Sequence, residues 1–191
     1  MRLRRVSSVM VLTSEFIRVY DDVLDADVCD ALMHIFDTNE DKHERLDEQK
    51  RPSFTQYNLT QNSEDHKDIH NHLIQKTFQY RDDYYEFVDK RVFPNSNAFE
   101  QYRIKQYEPN GEDMFDTHVD VQDHASARRF LSFMWYLNDV PEGGNTVFND
   151  LTIKPERGKL VVFPPLWLFP HRGEPVLECP KYILSTYLHY R

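Results

Sequence analysis

The second half of the chain is a succession of short β-rich runs, and this pattern constrains the fold more than any other feature. Turn-forming residues separate the runs, such as Pro-Asn-Gly at 109–111, Pro-Glu-Gly-Gly at 141–144 and Glu-Arg-Gly at 156–158. Many short strands divided by such turns are typical of β-sandwiches and β-barrels. The strands predicted here are 101–107, 129–137, 146–148, 159–163 and 182–190.

The first half carries a short predicted strand at 16–20, a further one at 54–59, and two helical patterns. Asp25 is a suitable N-cap for the first helix, and the second is predicted over residues 65–88. Two helices followed by many strands predict an α+β, mainly β fold in which N-terminal helices buttress the β core. The apolar helix faces are Val28, Leu32, Ile35 and Phe36, then Ile69, Leu73, Tyr80, Tyr84 and Phe87.

Composition restricts the partners and the compartment. The net charge of −9, from 32 acidic and 23 basic residues, disfavours nucleic acid, although a local basic stripe would still allow it. The two cysteines, Cys29 and Cys179, suit a reducing compartment, with Cys29 buried in the first helix. The apolar run at 9–12 is too short for a signal peptide, and no run is long enough to span a membrane. We therefore expect a cytoplasmic protein that starts at Met1 or Met10.

The segment Thr117-His118-Val119-Asp120 carries the strongest local signal for chemistry. Residues two apart on a strand point to the same face, so His118 and Asp120 can both reach one metal ion. Two imidazoles and one carboxylate suit Fe(II) and leave three coordination positions open. A lone His-x-Asp motif often occurs by chance, so the interpretation depends on a second histidine.

His171 supplies that histidine, several predicted strands after Asp120, and Lys181 follows at the start of the last strand. An ammonium group in a pocket is costly unless an anion pairs with it. Lys181 can therefore pair with the distal carboxylate of a diacid that chelates the metal through its other end.

These residues belong to a longer resemblance. From Ile104 to the C-terminus the sequence resembles the catalytic core of the prolyl 4-hydroxylase-like Fe(II)/2-oxoglutarate-dependent dioxygenases, in order and with ordinary spacing, and residues 16–36 resemble the lead-in strand and helix more weakly. The matching pieces are Tyr107 to Gly111, His118 to Asp120, Arg129 with Ser132, Tyr136 to Asp139, Gly143 to Phe148, Lys154 to Gly158, His171 to Val176, and Lys181.

The resemblance implies a double-stranded β-helix (jelly-roll) core with the metal triad near one open end. It implies that Lys181 forms a salt bridge with the C5 carboxylate of 2-oxoglutarate. Tyr107 and Tyr136 are placed like family tyrosines that donate a hydrogen bond to this cosubstrate, although each is equally compatible with an ordinary core aromatic. The implied cofactors are Fe(II), 2-oxoglutarate and O2, with ascorbate as a candidate reductant.

The implied reaction is hydroxylation of an unactivated C–H bond, with formation of succinate and CO2. Asp120 favours hydroxylation over halogenation, because it leaves no coordination position for a halide. The best-known family members hydroxylate a prolyl residue of a peptide or protein, which is therefore the first substrate to expect. Arg129 matches a family arginine near the substrate entrance, and Trp135, Trp167 and Arg172 are further candidate substrate contacts.

The sequence departs from the family pattern at three places. Phe115 stands where the family often has a tyrosine, three residues before the first metal histidine, and its missing hydroxyl argues against a peptidyl proline. The loop between Tyr107 and His118 is slightly long, and Gly-Gly-Glu-Thr is replaced by Gly-Gly-Asn-Thr at 143–146. The net charge favours a neutral or basic target over an acidic one at moderate salt.

Alternatives stay open beside this interpretation. The same core could act on a free small molecule, or demethylate nucleic acid bases, which the acidic balance and Lys181 in place of an arginine clamp oppose. A cupin-like metal enzyme without 2-oxoglutarate is opposed by Lys181 and the surroundings of Tyr107. A non-catalytic β-sandwich binding module is opposed by the intact triad.

No internal repeat or linker divides the chain, so we predict one oxygenase domain over residues 1–191. Within it, residues 1–98 form the N-terminal helical support and a polar, lid-like segment, and residues 99–191 form the catalytic β core. The polar stretch 38–65 is a candidate mobile lid that becomes ordered when substrate binds.

Overall fold

The computed structural model describes residues 13–48, 52–94 and 97–191. The question of a start at Met1 or Met10 concerns a segment outside these described residues. Two helices and twelve strands make up the described parts, together with short 3-10 turns. The helices are α1 (Ala26–Asp37) and α2 (Lys67–Val88); the strands are β1 (Arg18–Tyr20), β2 (Glu44–Asp47), β3 (Ser53–Asn58), β4 (Asn97–Phe99), β5 (Arg103–Tyr107), β6 (Phe115–His118), β7 (Arg129–Tyr136), β8 (Thr146–Phe148), β9 (Thr152–Ile153), β10 (Leu160–Phe163), β11 (His171–Gly173) and β12 (Lys181–Tyr190).

The strands form two antiparallel sheets. The major sheet has the order β1-β10-β7-β12-β5-β3-β2, with β4 also paired to β12. The minor sheet has the order β6-β11-β8-β9. Phe148 of the minor sheet packs with Phe163 and Ile183 of the major sheet, so an apolar layer lies between the two. The predicted mainly β, jelly-roll fold with supporting helices is confirmed.

Side chains of the major sheet alternate between two apolar layers. In β7, Phe133 and Trp135 pack in the layer that contains Leu32 of α1 and Leu73 of α2. Tyr136, next in the same strand, lies in the layer shared with the minor sheet. This alternation is the period of two that extended strands impose. Each buried layer removes a large apolar area from water, which is the main stabilising term.

The helices begin and end close to the predicted positions. In α1, Cys29, Leu32, Ile35 and Phe36 are buried, as the helical spacing predicts, and both cysteines are free thiols. The prediction for α2 was wrong at one position, since Phe87 is 43% exposed and packs its ring against the Arg18 guanidinium. No described helix has both the length and the apolar character that crossing a membrane requires.

The polar stretch 38–65 contributes β2 and β3, and the predicted strand near residues 54–59 is confirmed as β3. Because β3 lies inside the major sheet between β2 and β5, only the edge strand β2 is placed to move as a lid. The lid role itself stays a prediction. Strand β1 pairs with β10, and β2 pairs with β3, which in turn pairs with β5. These pairings join the two halves of the sequence, and the single oxygenase domain stays a prediction.

Candidate active site

Two neighbouring strands of the minor sheet bring the histidines together. His118 ends β6 and His171 begins β11, and the two residues are directly opposite each other in the antiparallel register. Asp120 follows two residues after His118, and its Oδ1 lies 3.5 Å from His118 Nε2 and 3.9 Å from His171 Nε2. One donor atom from each residue lies within 4.8 Å of the others, so together they enclose one position for an ion.

Backbone carbonyls orient both imidazole rings. His118 Nδ1 lies 2.8 Å from the Asp116 carbonyl oxygen, and His171 Nδ1 lies 3.1 Å from the Phe169 carbonyl oxygen. A carbonyl oxygen only accepts, so each Nδ1 carries the proton and donates it. Each Nε2 therefore presents its lone pair toward Asp120, in the tautomer that metal-binding histidines use.

The Asp120 carboxylate carries a negative charge, and one of its two oxygens accepts no hydrogen bond from the described residues. Its Oδ2 is buried and has no hydrogen-bond partner among the described residues. Burial alone would raise the pKa of Asp120, but His171, His118 and Lys105 lower it to about 2. An ionised, buried carboxylate oxygen without a partner is costly, and a coordinated cation removes that cost. The donor set of two imidazole nitrogens and one carboxylate fits Fe(II).

Lys181 lies in the same inner cavity as the three donors. It is only 2% exposed, and its Nζ donates a 2.8 Å hydrogen bond to the Gly144 carbonyl oxygen and lies 4.7 Å from the centre of the Tyr107 ring. Burial lowers its pKa to about 8, and the charge of Glu174 opposes this shift. The lysine has no salt bridge with a described carboxylate, so a bound diacid would supply the missing anion.

Gly144 lets its carbonyl approach the lysine because it has no side chain. Its φ is +67°, and a Cβ atom there would lie 2.9 Å from Val176 Cγ1 and 3.4 Å from Lys181 Cδ. The left-handed backbone and the close packing both favour glycine. The Gly-Gly turn thus positions the ammonium group at one end of the inner cavity.

The two tyrosines differ in their access to this cavity. Tyr107 lines it and lies directly opposite Lys181 in the β5–β12 register. Tyr136 lies behind Thr146, to whose Oγ1 it donates a 2.7 Å hydrogen bond, and Thr146 is the residue that lines the cavity. Burial raises the pKa of both phenols, so both hydroxyls keep their protons at neutral pH.

Arg129 lies in an outer cleft of about 460 Å³ that adjoins the inner cavity and shares His118 and Asp120 with it. Its guanidinium forms a bidentate pair with Glu100 at 2.7 and 2.9 Å and donates a 2.9 Å hydrogen bond to the Asp120 carbonyl oxygen. Its carbon Cζ also lies 4.2 Å from the centre of the Tyr187 ring. Arg129 therefore fixes the backbone of the Asp120 segment at the cleft, as well as lining it.

The other three candidate substrate contacts line neither the outer cleft nor the inner cavity. The structure does not agree with Trp135 as a substrate contact, whereas Trp167 and Arg172 stay predictions. Trp135 is fully buried against the helices, because its neighbour Tyr136 takes the opposite face of β7. Arg172 alternates with His171 on β11, and its guanidinium pairs with Glu174 at 3.2 Å. Trp167, in the connection between β10 and β11, is 75% exposed.

Sequence reasoning missed Arg103, Lys105 and Tyr187, which line the outer cleft. A signal for the first two was present, since residues 103, 105 and 107 share one face of a strand and Tyr107 was already assigned to the site.

Phe115, which lacks the hydroxyl of the family tyrosine, packs against a metal-site histidine. Its ring is stacked on the His118 imidazole, with the ring centroids 3.4 Å apart and the planes at 9°.

The sequence and the fold were compared with protein families, curated proteins and solved structures. Residues 102–189 match the family model of the 2OG-Fe(II) oxygenase superfamily. A search of curated proteins finds no significant match. Several solved structures share the fold.

A collagen prolyl hydroxylase of Paramecium Bursaria Chlorella virus-1, in its 2OG complex, is 21% identical, with 92% of this chain and 97% of that chain covered and a TM-score of 0.70. A Trichoplax adhaerens prolyl hydroxylase, in complex with a peptide fragment of the hypoxia inducible factor oxygen degradation domain, is 12% identical, with coverages of 92% and 84% and a TM-score of 0.73. A Pseudomonas putida prolyl-4-hydroxylase is 19% identical, with coverages of 92% and 93% and a TM-score of 0.69.

At these identities the structural likeness concerns the fold, while the family match concerns the segment that carries the two histidines, Asp120 and Lys181. Members of this superfamily use Fe(II), 2-oxoglutarate and O2, and the donor set described above fits the metal. The cupin-like enzyme without 2-oxoglutarate and the non-catalytic module do not agree with this match. The comparisons support a 2-oxoglutarate-dependent dioxygenase, since residues 102–189 match the 2OG-Fe(II) oxygenase superfamily and the fold is similar to that of prolyl hydroxylases of known structure.

Proposed function

We propose that the protein hydroxylates an unactivated C–H bond, with a prolyl residue of a peptide or protein as the first candidate substrate and with succinate and CO2 as co-products. In this proposal His118, Asp120 and His171 hold Fe(II), and Lys181 binds 2-oxoglutarate. The observation that carries it is the convergence of three metal donors and one buried lysine on a single cavity.

Fe(II), when bound, supplies the activation of O2 and the oxidation of the cosubstrate and the C–H bond. The chain supplies the binding geometry. The two Nε2 lone pairs and the Asp120 carboxylate would hold the ion, since Asp120 Oδ1 lies 3.5 Å from His118 Nε2 and 3.9 Å from His171 Nε2. Three protein donors would leave coordination positions for the cosubstrate and O2. Asp120 also offsets one of the two positive charges, which lowers the cost of holding the ion away from water.

The residues around Lys181 are suited to one end of a five-carbon diacid. The ammonium group already donates to Gly144, and it has donors left for a carboxylate. Tyr107 flanks it and can donate its phenolic hydrogen to the same carboxylate, since its raised pKa keeps that hydrogen in place. Tyr136 acts through Thr146, whose position it fixes.

The outer cleft is the proposed entrance for the substrate. It runs from β2 and β3 to the Asp120 segment and reaches the metal donors through His118 and Asp120. The Trichoplax adhaerens protein, whose fold is similar, holds a peptide fragment in its structure. That likeness supports a peptide as the first class of substrate to test. Phe115, stacked on His118, closes one side of the cleft with an apolar surface.

The test is succinate production from 2-oxoglutarate in the presence of Fe(II), O2 and ascorbate, screened with prolyl peptides, free amino acids and oligonucleotides. We expect succinate to form faster with a prolyl peptide, and we expect that peptide to gain the mass of one oxygen atom. Turnover of a free small molecule with no activity on any prolyl peptide would contradict the proposal that the substrate is a prolyl residue. Absence of succinate under every condition would contradict the proposed reaction itself.

A further inference from the structure

Two cations of the outer cleft have no anionic partner among the described residues. Arg103 and Lys105 lie on the same face of β5, on either side of Ile104, whose side chain is buried in the helix-facing layer. Both line the outer cleft, and Lys105 also lines the inner cavity. They therefore stand where a substrate would pass from the cleft to the metal donors.

The contacts of Arg103 leave part of its guanidinium unsatisfied. Its NH2 group donates a 2.7 Å hydrogen bond to Gln101 Oε1, while its Nε is buried and has no partner among the described residues. A guanidinium carries a planar fork of donors that matches a carboxylate. Arg103 forms no ion pair within the described part of the chain.

Lys105 is also unpaired. Its Nζ lies 5.2 Å from the centre of the Phe54 ring, and it makes no ion pair with any described carboxylate. Burial lowers its pKa to about 8, and Arg103 and Arg129 act in the same direction, whereas Asp120 and Glu100 oppose the shift. The two neighbouring carboxylates are already engaged. Glu100 forms its bidentate pair with Arg129, and Asp120 faces both histidines.

The cosubstrate does not satisfy these cations, because Lys181 is the residue suited to its far carboxylate. In the β5–β12 register, Lys181 is opposite Tyr107, whereas Lys105 is opposite Ile183 and Arg103 is opposite Ser185. Each residue of a strand advances about 3.4 Å, so Arg103 lies roughly 14 Å along β5 from Tyr107. The anion that pairs with Arg103 and Lys105 must therefore enter from the outer cleft.

We infer that the substrate carries a carboxylate that binds between Arg103 and Lys105 and so helps to orient the C–H bond at the metal. This inference rests on the proposed function and adds an acidic group to the substrate class. It reverses the expectation from the net charge of −9, which concerns long-range attraction and not the local field of the cleft. The carboxylate can belong to an Asp or Glu side chain of a peptide, or to a free small acid.

The experiment measures binding to the enzyme loaded with 2-oxoglutarate and Mn(II), which replaces Fe(II) and avoids turnover. End-capped prolyl peptides with Glu or Gln scanned through the flanking positions are titrated by calorimetry, and acetate and propionate are tested as competitors. At one or more positions we expect the Glu peptide to bind at least about tenfold more tightly than its Gln partner. If acetate or propionate competes with the peptides and the Glu peptides bind no more tightly than the Gln peptides, the carboxylate belongs to a free small acid.

Substitutions of Arg103 and Lys105 test whether these two side chains cause the preference for Glu over Gln peptides. Lys105→Met and Arg103→Gln should each reduce the preference for Glu over Gln, and the double variant should abolish it. Lys154→Met is the matched control, because it removes the same charge from an exposed residue that lines neither cavity. Thermal denaturation of each variant confirms that it is folded, and Arg103→Gln provides a second variant should Lys105→Met fail to fold.

Equal affinity for Glu and Gln peptides without competition by small acids would overturn the inference, as would a preference that survives in the double variant. The absence of any measurable binding would overturn it as well. The proposed function is tested separately by the formation of succinate by the Fe(II)-loaded wild-type enzyme. A wild-type enzyme that forms succinate but shows no carboxylate preference leaves the function standing and removes this inference.

Discussion

At the scale of the residue, Lys181 carries a buried charge that the proposed ligand would stabilise. A buried ammonium group is unfavourable, and among the described residues it is stabilised by the Gly144 carbonyl, the face of the Tyr107 ring and the charge of Glu174. Its pKa of about 8 lies within reach of ordinary assay conditions. The charge that is proposed to bind 2-oxoglutarate is therefore itself dependent on pH.

The affinity for 2-oxoglutarate should fall as the pH rises through about 8. The ammonium group is charged below this pKa and loses its proton above it, and the bound carboxylate favours the charged form. The apparent affinity should thus be nearly constant below the pKa and fall by up to about tenfold per pH unit above it. Calorimetric titration of the Mn(II)-loaded protein across this range is the measurement.

Two variants separate the charge from the remaining contacts. Lys181→Arg keeps its charge throughout the range, so the decline above about pH 8 should disappear. Lys181→Ala should bind 2-oxoglutarate about 30-fold or more weakly at neutral pH, the equivalent of roughly 2 kcal/mol, while it still binds metal. Wild-type affinity that is flat across the range, or unchanged in Lys181→Ala, would remove Lys181 from the cosubstrate site.

The sequence predicted the chemically specific residues better than it predicted their surroundings. His118 and Asp120 could be placed together because strand geometry relates residues two apart, and the resemblance then linked them to His171 and Lys181. Arg103 and Lys105 were not identified, because a cation in a predicted strand usually faces solvent. Only the pairing of β5 with β3 and β12 encloses them in a cleft.

At the scale of the element, the alternation along β7 decides which side chains reach the site. Trp135 was predicted as a substrate contact, yet it adjoins Tyr136, and adjacent residues of a strand face opposite ways. Counting from Tyr136 would have assigned Trp135 to the helix-facing layer. Strands β9 and β11 were not predicted, because each has at most three residues and includes polar ones. The metal motif predicted a strand that carries both His118 and Asp120, whereas β6 ends at His118 and Asp120 lies just beyond it.

The two tryptophans offer a direct test of this assignment. Trp135→Ala should destabilise the fold by about 3–5 kcal/mol, because it leaves a large cavity between the major sheet and the helices. Trp167→Ala should change the free energy of unfolding by no more than about 0.5 kcal/mol, since its side chain is exposed. Urea denaturation of the two variants gives both values. Similar stability of the two variants would contradict the packing described for β7.

At the scale of the molecule, one sheet unites the two halves of the sequence. Strands β1 and β3 pair with β10 and β5, so the N-terminal half completes the sheet that carries Lys181. The α+β class and the supporting helices could be predicted from periodicity and turn signals. The strand order could not, because it depends on pairings between residues far apart in the chain.

The central claim is that His118, Asp120 and His171 form one metal site to which the cosubstrate is coupled. Anaerobic equilibrium dialysis of Fe(II), with and without 2-oxoglutarate, tests it most directly. The wild-type protein should bind one equivalent, and 2-oxoglutarate should tighten that binding because it is proposed to contact both the ion and Lys181. The metal should tighten the binding of 2-oxoglutarate to the same extent. His171→Ala and Asp120→Asn should lose stoichiometric binding, since each removes a donor from the only three-residue cluster found in the described part of the chain. Iron binding by His171→Ala that equals the wild type, with the same response to 2-oxoglutarate, would contradict the account.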